Sequence, residues 1–103
     1  MSPDQVSKLI ADEIGADWGR SNLHGVDLRA SLLAPERRLF SNGQDKSARE
    51  MWLVLEEKPR DGSGYKIVFD KAERKFGLAM PGRDGQDVFL GFYGTFLETF
   101  NGM

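Results

Sequence analysis

The sequence predicts an α+β domain: an antiparallel meander of four or five strands, with an N-terminal and a C-terminal helix packed on one face. Three observations predict it. Apolar residues recur at helical spacing at both ends of the chain, while the stretch between them alternates at period two. The links between alternating stretches are short. A parallel crossover needs about a dozen residues or more, so consecutive strands must be antiparallel neighbours.

Ser2-Pro3-Asp4-Gln5 is a helix start, with Ser2 as cap, Pro3 at the first helical position and Gln5 completing a capping box. Val6, Leu9, Ile10 and Ile14 follow on one helical face, and Gly15 suits the C-cap, so a helix is expected over Pro3–Ile14. Ala16–Gly25 reads as a loop. Val26, Leu28, Ala30 and Leu32 then alternate with Asp27, Arg29 and Ser31, which predicts a half-buried strand that Pro35 ends or pushes to an edge. Arg37–Phe40 reads as a short strand and Ser41–Arg49 as a turn containing Asn42-Gly43.

Met51–Glu56 is apolar on both faces, Met51, Leu53 and Leu55 on one, Trp52 and Val54 on the other, as in a central strand. After a turn at Pro59–Gly64, Tyr65, Ile67 and Phe69 alternate with Lys66 and Val68. Phe76, Leu78 and Met80 alternate with Gly77 and Ala79 beyond the polar link Lys71–Arg74, which predicts pairing of Tyr65–Asp70 with Lys75–Met80. A turn at Pro81–Gln86 leads to a strand at Val88–Leu90. Phe92, Phe96, Leu97 and Phe100 predict a closing helix that Asn101-Gly102 stops. The heavier face, Met51, Leu53, Leu55, Tyr65, Ile67, Phe69, Phe76, Leu78 and Met80, is the one expected to carry both helices.

At 103 residues the chain makes one domain, residues 1–103, large enough for a real core without a metal or disulfide. With no cysteine it has no thiol redox chemistry, no cysteine-ligated zinc or iron–sulfur cluster and no cysteine nucleophile. Its 14 basic and 16 acidic residues give a net charge of −2, which argues against a general nucleic-acid binder. No stretch approaches the ~20 apolar residues of a membrane span. The first residues lack the cationic and apolar parts of a signal peptide, so a cytoplasmic location is expected.

No catalytic set emerges. His24 is the single histidine and sits in a turn, Asn22-Leu23-His24-Gly25, without a nucleophile-elbow serine nearby. Gly62-Ser63-Gly64 and Gly82-Arg83-Asp84-Gly85 lead into strands, whereas a phosphate-cradling loop must lead into a helix. Asp84 and Asp87 share only a fragment of a calcium-loop pattern, and turn chemistry explains both. Glu56 and Glu57 are adjacent on a strand and so face opposite ways. No cofactor and no metal is expected.

From Gly64 onward, Gly-Tyr-Lys-Ile-Val-Phe-Asp, Phe-Gly-Leu-Ala and Phe-Leu-Gly-Phe-Tyr-Gly-Thr-Phe-Leu-Glu-Thr-Phe, preceded by Trp52-Leu53-Val54-Leu55-Glu56-Glu57, resemble the tail of a family of small uncharacterised bacterial proteins. That likeness covers Glu50–Met103 and implies no activity. The closing aromatic helix also resembles bacterial toxin-immunity domains, single acidic modules that bind and block a toxin. It implies a class of function and no residue-level site.

The expectation is therefore a non-enzymatic protein-binding or regulatory module, a monomer or weak homodimer. Its rival is a small enzyme or ligand carrier with a site around His24, Arg29 and Glu56. Nucleic-acid binding through Arg37, Arg38 and Arg49 is a third reading, blunted by the nearby Glu36, Asp45 and Glu50. The lighter sheet face carries Trp52, Val54, Lys66 and Val68, and these are the candidate partner-binding residues. Either that face is open around a tryptophan, or the segment Asp17–Arg49, with Leu33, Leu39 and Phe40, folds across and buries it.

Overall fold

Ser2 starts the first helix as its neighbours predict. Its Oγ accepts from the Gln5 N–H at 3.3 Å and its own N–H donates to Gln5 Oε1 at 2.7 Å. Helix α1, Pro3–Ile14, buries Val6, Ile10 and Ile14 and half-buries Leu9. It ends at Gly15, whose φ of 65° a residue with a Cβ rarely adopts. The computed structural model describes residues 1–42, 47–58, 63–82 and 85–103. The expected turns at Ser41–Arg49, Pro59–Gly64 and Pro81–Gln86, with Gly43, Asp45, Gly62, Arg83 and Asp84, lie partly or wholly outside the described residues.

The strand expected over Val26–Leu32 is instead a single helical turn, α2, Leu28–Ser31. Asp27 decides it. Its side chain accepts from the Ala30 N–H at 2.8 Å, and this local bond competes with a strand ladder. Val26 and Leu28 are buried as their alternation suggests, but Ala30 is exposed. Strand β1, Leu32–Ser41, follows at once and runs through Pro35, which sits where the register with the next strand shifts between Leu32 and Glu36. A bulge tolerates the missing N–H.

Strands β2, Ala48–Glu56, β3, Lys66–Asp70, β4, Lys75–Pro81, and β5, Asp87–Gly94, then pair antiparallel in chain order. The β3–β4 register runs from Lys66↔Ala79 to Asp70↔Lys75, as expected from their matched alternation. Strand β5 is longer than Val88–Leu90, and Phe92 belongs to it rather than to the last helix. Gly94, at φ 114°, breaks the strand. Thr95 then caps α3, Phe96–Gly102, in a second capping box with Glu98. An odd meander leaves its first and last strands parallel, and a parallel bridge between Ser41 and Val88 closes the five strands into a barrel.

This closure gives the sheet two buried sides. Outside the barrel, α1 and α3 cover Trp52, Val54, Leu55, Ile67, Phe69, Phe76 and Leu78, joined by Val26 and Leu28. Inside lie Phe40, Met51, Leu53, Val68 and Ala79, with Leu33 and Phe89 packed against them. Met51 and Leu53 therefore do not share the helix-bearing face with Ile67 and Phe69. The register puts Trp52 opposite Phe69 and Leu53 opposite Val68, and a shift between Leu53 and Leu55 then brings Leu55 opposite Ile67. A strand that is apolar on both faces carries no signal of which face turns inward; pairing register decides.

Candidate functional site

Trp52, Val54, Lys66 and Val68 are all buried. Trp52 and Val54 lie under the helices, with the Arg37 guanidinium 5.4 Å from the Trp52 ring centroid. Val68 points into the barrel against Phe40 and Leu53. Lys66 is held by Asp87 at 3.2 Å, and both side chains are largely shielded from solvent. The Val68 side of the sheet is closed by β1, which brings Leu33 and Phe40 across it, while Leu39 stays exposed. None of the four is presented to a partner by the folded chain.

The exposed apolar surface lies where the helices stop. Tyr65 and Met80 were expected in the core because they continue the rows Ile67–Phe69 and Leu78–Phe76. Both are instead substantially open, Tyr65 at 41% and Met80 at 40%. Their alternation is as expected; what is missing is cover, because the helix α3 spans only seven residues. Leu90 at 49% and Tyr93 at 47% on β5 extend the same surface.

Local chemistry sets each of these side chains. On β4 and β5, Leu78 opposes Gly91 and Ala79 opposes Phe89, so Leu90 is the extra residue of a bulge. Tyr93 lies against Gly102, where a Cβ would stand 2.8 Å from Tyr93 Cε2. Tyr65 is pinned through its backbone: its N–H donates to Glu57 Oε1 at 3.1 Å, and its carbonyl accepts from the Glu57 N–H at 2.9 Å. The adjoining loop is tied down by buried Asn22. Its Oδ1 accepts from the His24 and Val26 N–H groups, each at 3.0 Å, and its amide donates to the Phe100 carbonyl at 3.0 Å. That loop presents Leu23, which is 94% exposed, beside His24.

Between these elements runs a groove of about 380 Å³ lined by His24, Glu57, Tyr65, Leu78, Leu90 and Tyr93. Arg29 and Glu56 do not line it, so the constellation His24, Arg29 and Glu56 is not assembled there. Glu56 is buried opposite Lys66 in the β2–β3 ladder, and Arg29 is exposed on α2. Among the described lining residues there is no serine or threonine for the imidazole to activate. The lining is mainly aliphatic and aromatic, with His24 and Glu57 as its imidazole and carboxylate members.

The arginines of the nucleic-acid reading are each engaged by a carboxylate. Arg37 lies 3.6 Å from Glu50, Arg38 3.2 Å from Glu36 and Arg49 3.0 Å from Asp70. Paired in this way they form no uncompensated basic stripe. No helix among the described residues is long and apolar enough to cross a membrane.

Leu90 and Tyr93 escaped the sequence reading, which shortened β5 and assigned the residues after Gly91 to a helix. A signal was available. Gly91 and Gly94 interrupt an aromatic strand, the pattern of a bulged strand that re-aims its side chains. Compared with protein-family models, characterised proteins and solved structures, the chain matches none.

Proposed function

We propose that this protein is a non-enzymatic binding module that engages another protein through the uncovered end of its sheet, with Tyr65, Met80, Leu90 and Tyr93 as the contact residues. One observation carries the reading: four large apolar side chains, each 40–49% exposed, are gathered at one end of an otherwise covered face. Scattered exposed apolar residues are ordinary, but a group rich in tyrosine on a rigid scaffold is the composition of an interface centre. The side chains are held by strand pairing, the Glu57–Tyr65 bonds and the Asn22 anchor, so little ordering would oppose association. Such a patch suits the class of function that the immunity-domain resemblance implies.

The test compares the parent chain with Leu90→Asn/Tyr93→Ser, both immobilised and exposed to native lysate, with captured proteins identified by mass spectrometry and then purified. Binding of the purified partner should weaken at least about tenfold in the double variant, since interface anchors carry ~2 kcal/mol or more. A partner that binds both forms alike places the interface elsewhere, and capture of no protein by the parent removes the reading.

A further inference from the structure

A second cavity, of about 410 Å³, opens between α1, the β3–β4 turn and the start of α3. Its apolar lining is Leu9, Phe69 and Phe76. Around these stand two carboxylates, Glu13 and Glu98, and two cations, Arg74 and Lys75. The charges are balanced, yet among the described residues none of the four forms an ion pair, with another of the four or elsewhere. They share one cavity and stay beyond contact distance of each other.

Both carboxylates are positioned by backbone donors. Glu13 Oε2 accepts from the Phe96 N–H at 2.9 Å, tying α1 to α3, and Glu98 Oε1 accepts from the Thr95 N–H at 3.3 Å. A carboxylate has about four lone-pair sites, so each keeps capacity for a further donor. On the cationic side, Arg74 closes the turn after β3, its N–H donating to the Asp70 carbonyl at 2.7 Å, with φ at 53°.

We propose that this cavity binds a small zwitterion with an apolar body, in the class of apolar amino acids and dipeptides. The ammonium lies toward Glu13 and Glu98, the carboxylate toward Arg74 and Lys75, and the apolar side chains on Leu9, Phe69 and Phe76. Charge selects the class. A simple anion would meet two carboxylates and a simple cation two basic groups, whereas a ligand carrying both charges satisfies both sides at once. Size agrees, because the cavity lies near the lower end of the roughly 300–1,000 Å³ typical of ligand sites. The site is separate from the tyrosine-rich patch and does not depend on its function.

The test is an amide-shift NMR titration with leucyl-leucine, leucine, N-acetyl-leucyl-leucine and leucyl-leucine amide. Leucyl-leucine or leucine should shift the amides of Leu9, Lys75, Gly94 and Thr95 saturably, and whichever binds tighter names the ligand size. Each singly capped peptide should bind at least about tenfold more weakly than leucyl-leucine, the effect of losing a charged hydrogen bond. Glu13→Gln/Glu98→Gln keeps an acceptor oxygen for the Phe96 and Thr95 amides, so the fold is retained, and it should bind the free and N-acetylated peptides alike. Arg74→Gly/Lys75→Ala should bind the free and amidated peptides alike. No shifts with any probe at millimolar concentration overturns the proposal, as do capped peptides that bind as well as free ones. Unchanged discrimination in either double variant overturns it too.

Discussion

The two sides of the one sheet are held in different ways. The outer side is covered by α1 and α3, which begin at capping boxes built from residues three apart. The interior is closed by pairing between strands distant in sequence, with the parallel bridge Ser41↔Val88 completing the circle. The outer cluster is large and aromatic, with Phe69 and Phe76 at 4.6 Å and Phe76 and Phe96 at 5.6 Å between ring centroids. The interior is a thin file of residues whose packing is set by how narrowly the strands curl. A layer made from helices tolerates an incomplete end, and that is where the tyrosine-rich patch arises. A small barrel interior tolerates neither a gap nor an excess atom.

The sharpest way to break this comparison is Val68→Asp. Inside the barrel the new carboxylate would stand among Phe40, Met51, Leu53 and Ala79, and the buried cation on that side, Lys66, is already held by Asp87. An uncompensated buried charge costs ~3–5 kcal/mol, much of a typical domain's stability. The variant should lose its cooperative melt by circular dichroism and elute as an expanded chain. A folded, monomeric variant would show that the interior is open to solvent.

On the outer side, Phe96 is fully buried between Phe76 and Phe100. Phe96→Ala should cost about 3–5 kcal/mol in denaturant melts, with the m-value preserved. A loss under about 1 kcal/mol would mean that α3 contributes little to the outer layer.

Gly77→Ala probes how tightly the interior is closed. A Cβ at Gly77 would collide with the Gly91 carbonyl oxygen and stand 2.9 Å from Phe89 Cε1. Adding this one carbon should destabilise by ~1–3 kcal/mol, the usual range for overpacking. An unchanged melting temperature would place β4 and β5 further apart than the register requires. The smallest effect belongs to the patch: Leu90→Asn/Tyr93→Ser should stay within about 0.5 kcal/mol of the parent per site, as exposed substitutions do. A larger loss would make these residues part of the core rather than a surface for a partner.

The candidate partner site shows where the sequence stops being legible. Trp52, Val54, Lys66 and Val68 were grouped by alternation on neighbouring strands, which assumes a common register. Two of them, Lys66 and Val68, do share a side. Trp52 and Val54 do not, because β2 is offset by one face relative to that assumption. Of the exposed patch, Tyr65 and Met80 can be assigned to a face but not to the surface, since exposure depends on what covers that end of the sheet, and Leu90 and Tyr93 depend on the bulge and length of β5.

By itself the sequence determined the helix starts at Ser2-Pro3, the order of the strands from β2 onward, the antiparallel pairing of β3 with β4, and the burial of Phe96. These follow from interactions between near neighbours: a cap and its third residue, a period of two, a link too short to cross over. Only the tertiary structure decided that Asp27 turns the chain into α2, that β1 passes through Pro35, and that the meander closes on Val68. It also decided that Tyr65 and Met80 lie beyond the helices and that Glu13, Glu98, Arg74 and Lys75 share one cavity. The physical reason is common to the larger-scale outcomes. Alternation says which residues travel together, but which way they face and what covers them depends on contacts between segments far apart in the chain, and a one-residue change of register reverses the answer.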